Sequence, residues 1–200
     1  ENEFDGSGIK SIVRGSSIIL TNRGNIYAVI GEENLQFTKI DIENVDTIGM
    51  IEHIYVLIIS DRLYVSEKID NMCENFLKNL KELTVHGKII KISFGCLYMS
   101  VLTESGLYVY GNYNYASYDQ LHKLNFEKYD RVIDMHCAPF MLVLLVKNDD
   151  KIEIYCSDQC YGIDNFTMVE YNLSPISCSC KFIDSLYTCI LLYMEYGILE

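Results

Sequence analysis

Short apolar runs separated by turn residues recur along the whole chain. Each of five segments has a β-branched run, a break, a second apolar run, a turn with Gly or Asp, and an aliphatic–Tyr pair. The segments begin at Ile9, Val45, Ile89, Arg131 and Pro175. They follow one another at about forty residues, and a strand-rich period of that length is typical of β-propeller blades. The pattern therefore predicts an all-β repeat fold.

Two kinds of strand can be distinguished within the repeat. Alternating apolar residues, as in Ile90, Ile92 and Phe94, predict a strand with one buried face. Runs that are apolar throughout predict middle strands covered on both faces: Tyr55–Ile59, Met141–Val146 and Cys189–Met194. Hairpin turns are expected where Gly, Asn or Asp tolerates a left-handed backbone: Thr21–Gly24, Thr103–Gly106 and Lys147–Asp150. Three clear strands per repeat are predicted.

One segment departs from the strand pattern. From Ile69 to Leu83 the apolar residues recur at steps of three and four, which predicts an amphipathic helix near residues 70–83. Asn71 and Glu74 would form a capping box near its start. We expect the helix as an insertion between the second and third repeats. It would pack on the flank of a blade or present a face to a partner.

Composition and charge narrow the classes of function. Half of the residues are hydrophobic and 22% are charged, which is the balance of a globular domain and predicts one domain over residues 1–200. Sixteen basic residues against twenty-eight acidic ones give a net charge of −12. That charge argues against direct binding of bare DNA or of an anionic membrane, and it favours partners with a basic surface.

The cysteines and the apolar runs indicate the cellular compartment of the protein. The longest apolar run, Phe140–Val146, is too short to cross a bilayer, and no secretory segment precedes the eight cysteines. We therefore expect an intracellular protein, cytoplasmic or nuclear, with reduced thiols.

The sequence contains few residues that could carry chemistry. No nucleophile, phosphate-loop or dinucleotide motif is present, so no catalytic residue and no cofactor is assigned. Cys156, Cys160, Cys178 and Cys180 have zinc-type ligands but lack the usual Cys-x2-Cys spacing, and the last two alternate as strand residues. No metal is expected, and the sequence favours a non-enzymatic role.

The densest aromatic feature runs from Tyr108 to Tyr118. Tyr108 and Tyr110 are expected in the core of a strand, whereas the following stretch contains Gly, Asn and Ser and predicts a loop. The candidate binding residues are the three tyrosines of this loop and the neighbouring acidic residue: Tyr113, Tyr115, Tyr118 and Asp119. The tyrosines are expected either to form a binding surface or to pack between adjacent blades.

The third repeat, Lys88 to Leu121, resembles the repeat of the regulator of chromosome condensation family. That repeat has a Gly after its first strand, a Thr ending the second, a Gly turn, and an aromatic strand closing with Gly-x-Asn. The matching residues are Gly95, Thr103, Gly106, Tyr108, Tyr110, Gly111 and Asn112 or Asn114. The first repeat retains Gly15, Thr21, Gly24, Tyr27, Gly31 and Asn34, and the other three match more weakly.

The resemblance implies a β-propeller of about five blades, or a segment of a seven-bladed one, since family members usually have seven. Together with the charge, it implies a non-enzymatic scaffold that docks on a macromolecular partner with a basic surface. An alternative is a guanine-nucleotide exchange factor for a Ran-type small GTPase. A further alternative is a factor bound to a large ribonucleoprotein such as a ribosome, where an acidic face would contact basic protein.

Overall fold

The computed structural model describes residues 5–13, 16–30, 36–66, 79–113, 116–137, 142–149, 151–157, 166–169, 178–186 and 189–196. These residues form antiparallel strands and one short 3-10 helix, Tyr129–Arg131. Within the described ranges, no helix has the length and apolar character that a membrane crossing requires. The chain groups into two compact units, Glu1–Val85 and His86–Glu200. A single domain over residues 1–200 stays a prediction.

The first unit contains two four-stranded sheets in which each strand pairs with the next along the chain. Sheet 1 is formed by β1 (Ile9–Ile12), β2 (Ile18–Thr21), β3 (Ile26–Ile30) and β4 (Gln36–Ile40). Sheet 2 is formed by β5 (Val45–Ile51), β6 (Ile54–Ile59), β7 (Arg62–Val65) and β8 (Lys81–Leu83). The two sheets share one core: Val13, Ile18, Leu20, Ile26, Val45, Ile48, Tyr55 and Leu57.

The second unit contains two further four-stranded sheets and a two-stranded hairpin. Sheet 3 is formed by β9 (Ile89–Phe94), β10 (Tyr98–Thr103), β11 (Gly106–Tyr113) and β12 (Ala116–Lys123). Sheet 4 is formed by β13 (Val132–Cys137), β14 (Leu142–Asn148), β15 (Lys151–Ser157) and β16 (Phe166–Val169). The hairpin is formed by β17 (Cys178–Leu186) and β18 (Cys189–Tyr196).

Side chains from sheets 3 and 4 meet in a second core. Its buried members are Tyr98, Leu102, Leu107, Val109, Tyr113, Leu124, Phe126, Met135, Cys137, Leu142, Leu144 and Val146. Within this unit the first strands of sheets 3 and 4 and of the hairpin lie side by side: β13 is next to both β9 and β17. Stacked sheets with neighbouring first strands explain why the middle strands are apolar on both faces.

The predicted strands and turns are confirmed where the structure describes them. The apolar runs coincide with β6, β14 and β18, and the strand near Ile90–Phe94 is β9. Each sheet also has a fourth, outer strand that the apolar pattern did not predict. The apolar pattern does not predict these strands because they are largely exposed: β4 and β12 have no fully buried position. An outer strand needs no regular apolar alternation.

The predicted helix near residues 70–83 is wrong at its end. Lys81–Leu83 is strand β8, which pairs with β7 through Leu63 and Leu83. Backbone pairing and the burial of Leu83, which is 3% exposed, decide for the strand. The insertion therefore lies within sheet 2, between β7 and β8, and not between the second and third repeats. Residues 67–78, where the rest of the helix was predicted, lie outside the described residues.

A β-bulge recurs in the first strand of each four-stranded sheet. In sheet 1, Ile9 pairs with Thr21 and Ser11 pairs with Leu20, so one residue between Ile9 and Ser11 has no partner across the ladder. The bulged residues of the four sheets are Lys10, Asp46, Ile90 and Ile133. All four are exposed. Each lies at the hairpin end of its sheet, defined as the end that carries the turn between the second and third strands.

Candidate functional site

The predicted tyrosine loop is a β-hairpin in which Tyr113 of β11 pairs with Ala116 of β12. Tyr113 is 1% exposed, and its ring centroid lies 4.9 Å from that of Tyr98. Its prediction as an exposed binding residue is therefore wrong. The ring is needed to fill the core between sheets 3 and 4, which is the second of the two arrangements expected for these tyrosines.

Tyr118 and Asp119 lie on β12 at an irregularity of a different kind. Val109 pairs with His122 and Gly111 with Tyr118, so three residues of β12 stand opposite one residue of β11. Tyr118 is half-buried and stacks on His122 at a centroid distance of 4.4 Å. Asp119 is exposed. Such bulges often redirect side chains beside functional sites, so both residues stay candidates. Tyr115 lies outside the described residues.

The residue opposite this irregularity is Tyr110, which is 8% exposed. Its burial, and secondarily the negative charge of Asp119, raise the pKa of the Tyr110 phenol. Tyr108 is 5% exposed. Both residues therefore belong to the core of the strand, as predicted.

The hairpin end of the first unit contains a groove that the sequence did not predict. It has a volume of about 500 Å³ and is open to solvent. Its walls come from the turn between β2 and β3, from the segment between β4 and β5, and from the turn between β6 and β7. The lining residues are Lys10, Asn22, Arg23, Gly24, Asn44, Val45, Asp46, Ser60 and Asp61.

Tight turns fix the shape of this groove. Ser60 and Asp61 have φ angles of 50° and 63°, as a two-residue type I′ turn requires, and Asn44 has a φ of 59°. Gly24 has a φ of 78°, and its carbonyl accepts a hydrogen bond from the Val45 N–H at 3.1 Å. A Cβ on Gly24 would lie 3.0 Å from the Val45 nitrogen. Glycine therefore allows the turn of sheet 1 to touch the start of β5.

The cations and carboxylates of the groove differ in their partners. The Lys10 ammonium donates to the Asp46 carbonyl at 2.8 Å, and the Arg23 guanidinium donates to the Asp5 carbonyl at 3.3 Å. The carboxylates of Asp46 and Asp61 are exposed and form neither a hydrogen bond nor an ion pair with any described residue. The groove is therefore lined by two exposed carboxylates and by two cations, each of which donates one hydrogen bond to a backbone carbonyl.

A hydrogen-bond network anchors the segment that precedes β1 to the same turn. The Asp5 carboxylate accepts hydrogen bonds from Asn25 at 2.6 Å, from Thr21 at 2.9 Å, and from the backbone and hydroxyl of Ser7. These donors, Asn25 foremost, hold the pKa of Asp5 well below its usual range. The network positions the Asp5 carbonyl that holds Arg23.

Two polar contacts in the second unit are structural. Glu153 accepts hydrogen bonds from Asn148 at 2.7 Å, from Tyr155 at 2.8 Å and from Lys128 at 3.0 Å, and these donors lower its pKa to about 2. Lys91 of β9 forms an ion pair with Asp134 of β13. Both contacts join neighbouring segments of the chain.

Of the four cysteines with zinc-type ligands in the sequence, only Cys156 has a described side chain. Its side chain is partly buried, and burial raises the pKa of its thiol. The side chains of Cys160, Cys178 and Cys180 lie outside the described residues. Among the residues that the structure describes, no three His, Cys, Asp or Glu side chains form a metal-binding group. The absence of a metal stays a prediction.

Comparison with known proteins yields structural neighbours only. No protein-family model and no curated protein matches the chain. Human WBSCR16 matches with a TM-score of 0.56 at 17% identity, over 90% of this chain and 57% of that one. Prp20p from Saccharomyces cerevisiae, studied for its binding to Gsp1p and histones, matches with a TM-score of 0.58 at 14% identity, over 85% and 52%.

A third structure, yeast RCC1 (Prp20) with Kap60 bound, matches with a TM-score of 0.55 at 15% identity, over 77% of this chain and 44% of that one. The chain thus spans about half the length of the structures it matches. Identities this low establish the fold alone. The chain has an RCC1-like β-propeller fold, so the predicted fold class is confirmed and the four-stranded sheets are its blades.

Proposed function

We propose that this RCC1-like β-propeller chain is a non-enzymatic protein-interaction scaffold that docks on a partner with a basic surface inside the cell, in the cytoplasm or nucleus. The observation that carries the proposal is the excess of twenty-eight acidic over sixteen basic residues on this fold. Prp20p, which shares the fold, binds histones, and histones are basic proteins. Complementary charge gives such a complex fast association and selects against acidic partners.

The contact residues we propose from the sequence are Tyr115, Tyr118 and Asp119. Tyr118 has a rigid, stacked ring at the outer strand of sheet 3, so it would contribute contact area at a small entropic cost. Asp119 lies next to it and adds a negative charge. Tyr113 is left out of this set because it is buried.

A second candidate function is guanine-nucleotide exchange on a Ran-type small GTPase. The observation that favours it is the structural match to Prp20p, which binds Gsp1p. Exchange requires a loop that displaces the nucleotide, and the sequence contains none that we can identify. We therefore place this function second.

Two measurements separate these functions. The first is release of labelled GDP from a Ran-type GTPase of the same organism, with this chain at catalytic amounts; we expect no stimulation. The second is binding to purified core histones at rising salt, with a neutral protein as control. We expect affinity to fall steeply, because exposed charges are screened within about 10 Å at 0.1 M salt. Stimulated release would establish the exchange factor, and failure to bind histones at low salt would contradict the scaffold.

A further inference from the structure

We infer that the hairpin end of the second unit binds a second copy of this chain through the exposed side chains of Ile90 and Ile133. This contact between like chains is separate from the proposed contact with a basic partner. Three observations carry it: the exposure of the two isoleucines, the residue types at the equivalent positions of the first unit, and the signs of the charges around them.

The two isoleucines are the bulged residues of neighbouring first strands. Ile90 of β9 is 61% exposed and Ile133 of β13 is 44% exposed. The residues that follow the two bulges, Lys91 and Asp134, form an ion pair that joins the strands. Ile90 and Ile133 therefore occupy matching positions side by side, and we call this exposed apolar surface the isoleucine patch.

The fold does not require apolar residues at these two positions. The equivalent bulged residues of the first unit are Lys10 and Asp46, which are charged and exposed. Packing in the core does not explain the isoleucines either, because both side chains are largely open to water. Contiguous apolar surface that neither the repeat nor the core needs is typical of an interaction site.

The charges around the isoleucine patch favour a second copy over a strongly basic or strongly acidic partner. The whole chain has twenty-eight acidic and sixteen basic residues, but the described residues of the two hairpin turns, and those directly before β9 and β13, expose both signs. Such a surface is complementary to itself about a two-fold axis, because cations of one copy can face carboxylates of the other. The basic residues are Lys88, Arg131, Lys147 and Lys151, and the acidic residues are Glu104, Asp130 and Asp149.

Hydrogen bonds hold this charged rim beside the isoleucine patch. The Glu104 N–H donates to the Lys88 carbonyl at 3.1 Å, and the Arg131 guanidinium donates to the Asn148 side chain at 3.1 Å. An apolar centre within a charged rim is the usual composition of a protein–protein interface. Two copies related by a two-fold axis would bury the isoleucines of both chains and bring the two rims together.

Sedimentation velocity of the full chain over a range of concentrations tests the dimer. We expect a monomer–dimer equilibrium that shifts toward the dimer as salt rises from about 0.1 M to about 1 M, because salt screens the repulsion between two chains of net charge −12. A chain that stays monomeric throughout, or a dimer that dissociates as salt rises, would refute the apolar contact. The proposed binding of histones has the opposite salt dependence, so either result can fail without the other.

The decisive variant is Ile90→Lys with Ile133→Asp. It gives the second unit the residue types found at the equivalent positions of the first, Lys10 and Asp46, so the fold should accept both substitutions. The net charge does not change. The Kd of the dimer should rise about tenfold or more, because the apolar area that the contact buries is lost.

The matched control is Ile9→Asp with Ile12→Lys, which introduces the same charges at isoleucines of the first unit that are 51% and 65% exposed. This control should dimerise like the wild type. Ile90→Thr with Ile133→Thr keeps β-branched side chains, which favour a strand, and should also weaken the dimer. Unchanged dimerisation of both patch variants would refute the isoleucine patch as the contact, and assembly beyond the dimer would refute the two-fold arrangement.

Discussion

Replacing Gly24 by alanine should destabilise the first unit through two separable effects. The left-handed backbone, with a φ of 78°, costs a residue with a Cβ about 1–2 kcal/mol. The new Cβ would also lie 3.0 Å and 3.1 Å from the backbone nitrogen and oxygen of Val45, and backbone atoms cannot rotate away. Overpacking of this kind costs about 1–3 kcal/mol, so we expect a total loss of about 2–5 kcal/mol.

Gly6→Ala is the matched control for the conformational part. Gly6 has a φ of 66°, but no described residue lies within 4 Å of its ideal Cβ, so Gly6→Ala should lose only about 1–2 kcal/mol. Urea unfolding followed by circular dichroism measures both variants, since the chain has no tryptophan to report by fluorescence. Equal losses in the two variants would refute the argument that direct contact with Val45 fixes the shape of the groove.

Two further predictions concern the polar contacts of the second unit. The pKa of Glu153 is lowered from 4.5 to about 2, so its contribution to stability is present above pH 4.5 and is lost as the pH falls toward 2. Glu153→Gln should therefore flatten this part of the curve of unfolding free energy against pH. In the Lys91–Asp134 pair the Asp134 side chain is 5% exposed and that of Lys91 is 39% exposed. Lys91→Met removes the cation that is paired with the buried Asp134 carboxylate and should lower the free energy of unfolding in urea by about 3 kcal/mol. Asp134→Asn leaves a lysine that water can solvate, so it should lower that free energy clearly less. The reverse order of the two losses would contradict this reasoning.

The sequence alone determined the repeat, the middle strands and the hairpin turns. Middle strands are covered on both faces, so their burial requires apolar runs such as that of β14. The left-handed turn positions require particular residue types, and Gly24 and Asp149 carry that signal. The repeat resembles that of the regulator of chromosome condensation family, and this resemblance predicted the fold, because repeated units bury residues at equivalent positions.

Tertiary structure alone decided the outer strands, the place of Tyr113 and the groove. Outer strands form by pairing with a neighbour, and exposed residues such as those of β12 meet that condition without any regular apolar pattern. Tyr113 is a core residue because sheet 4 packs against it. The loop-like composition of the sequence around it does not predict that contact. The groove has no signal in the sequence, because Lys10, Asp46 and Asp61 meet only when two bulges and two turns come together. Bulges and contacts between sheets depend on pairing between distant segments, and the order of residues along one segment does not encode them.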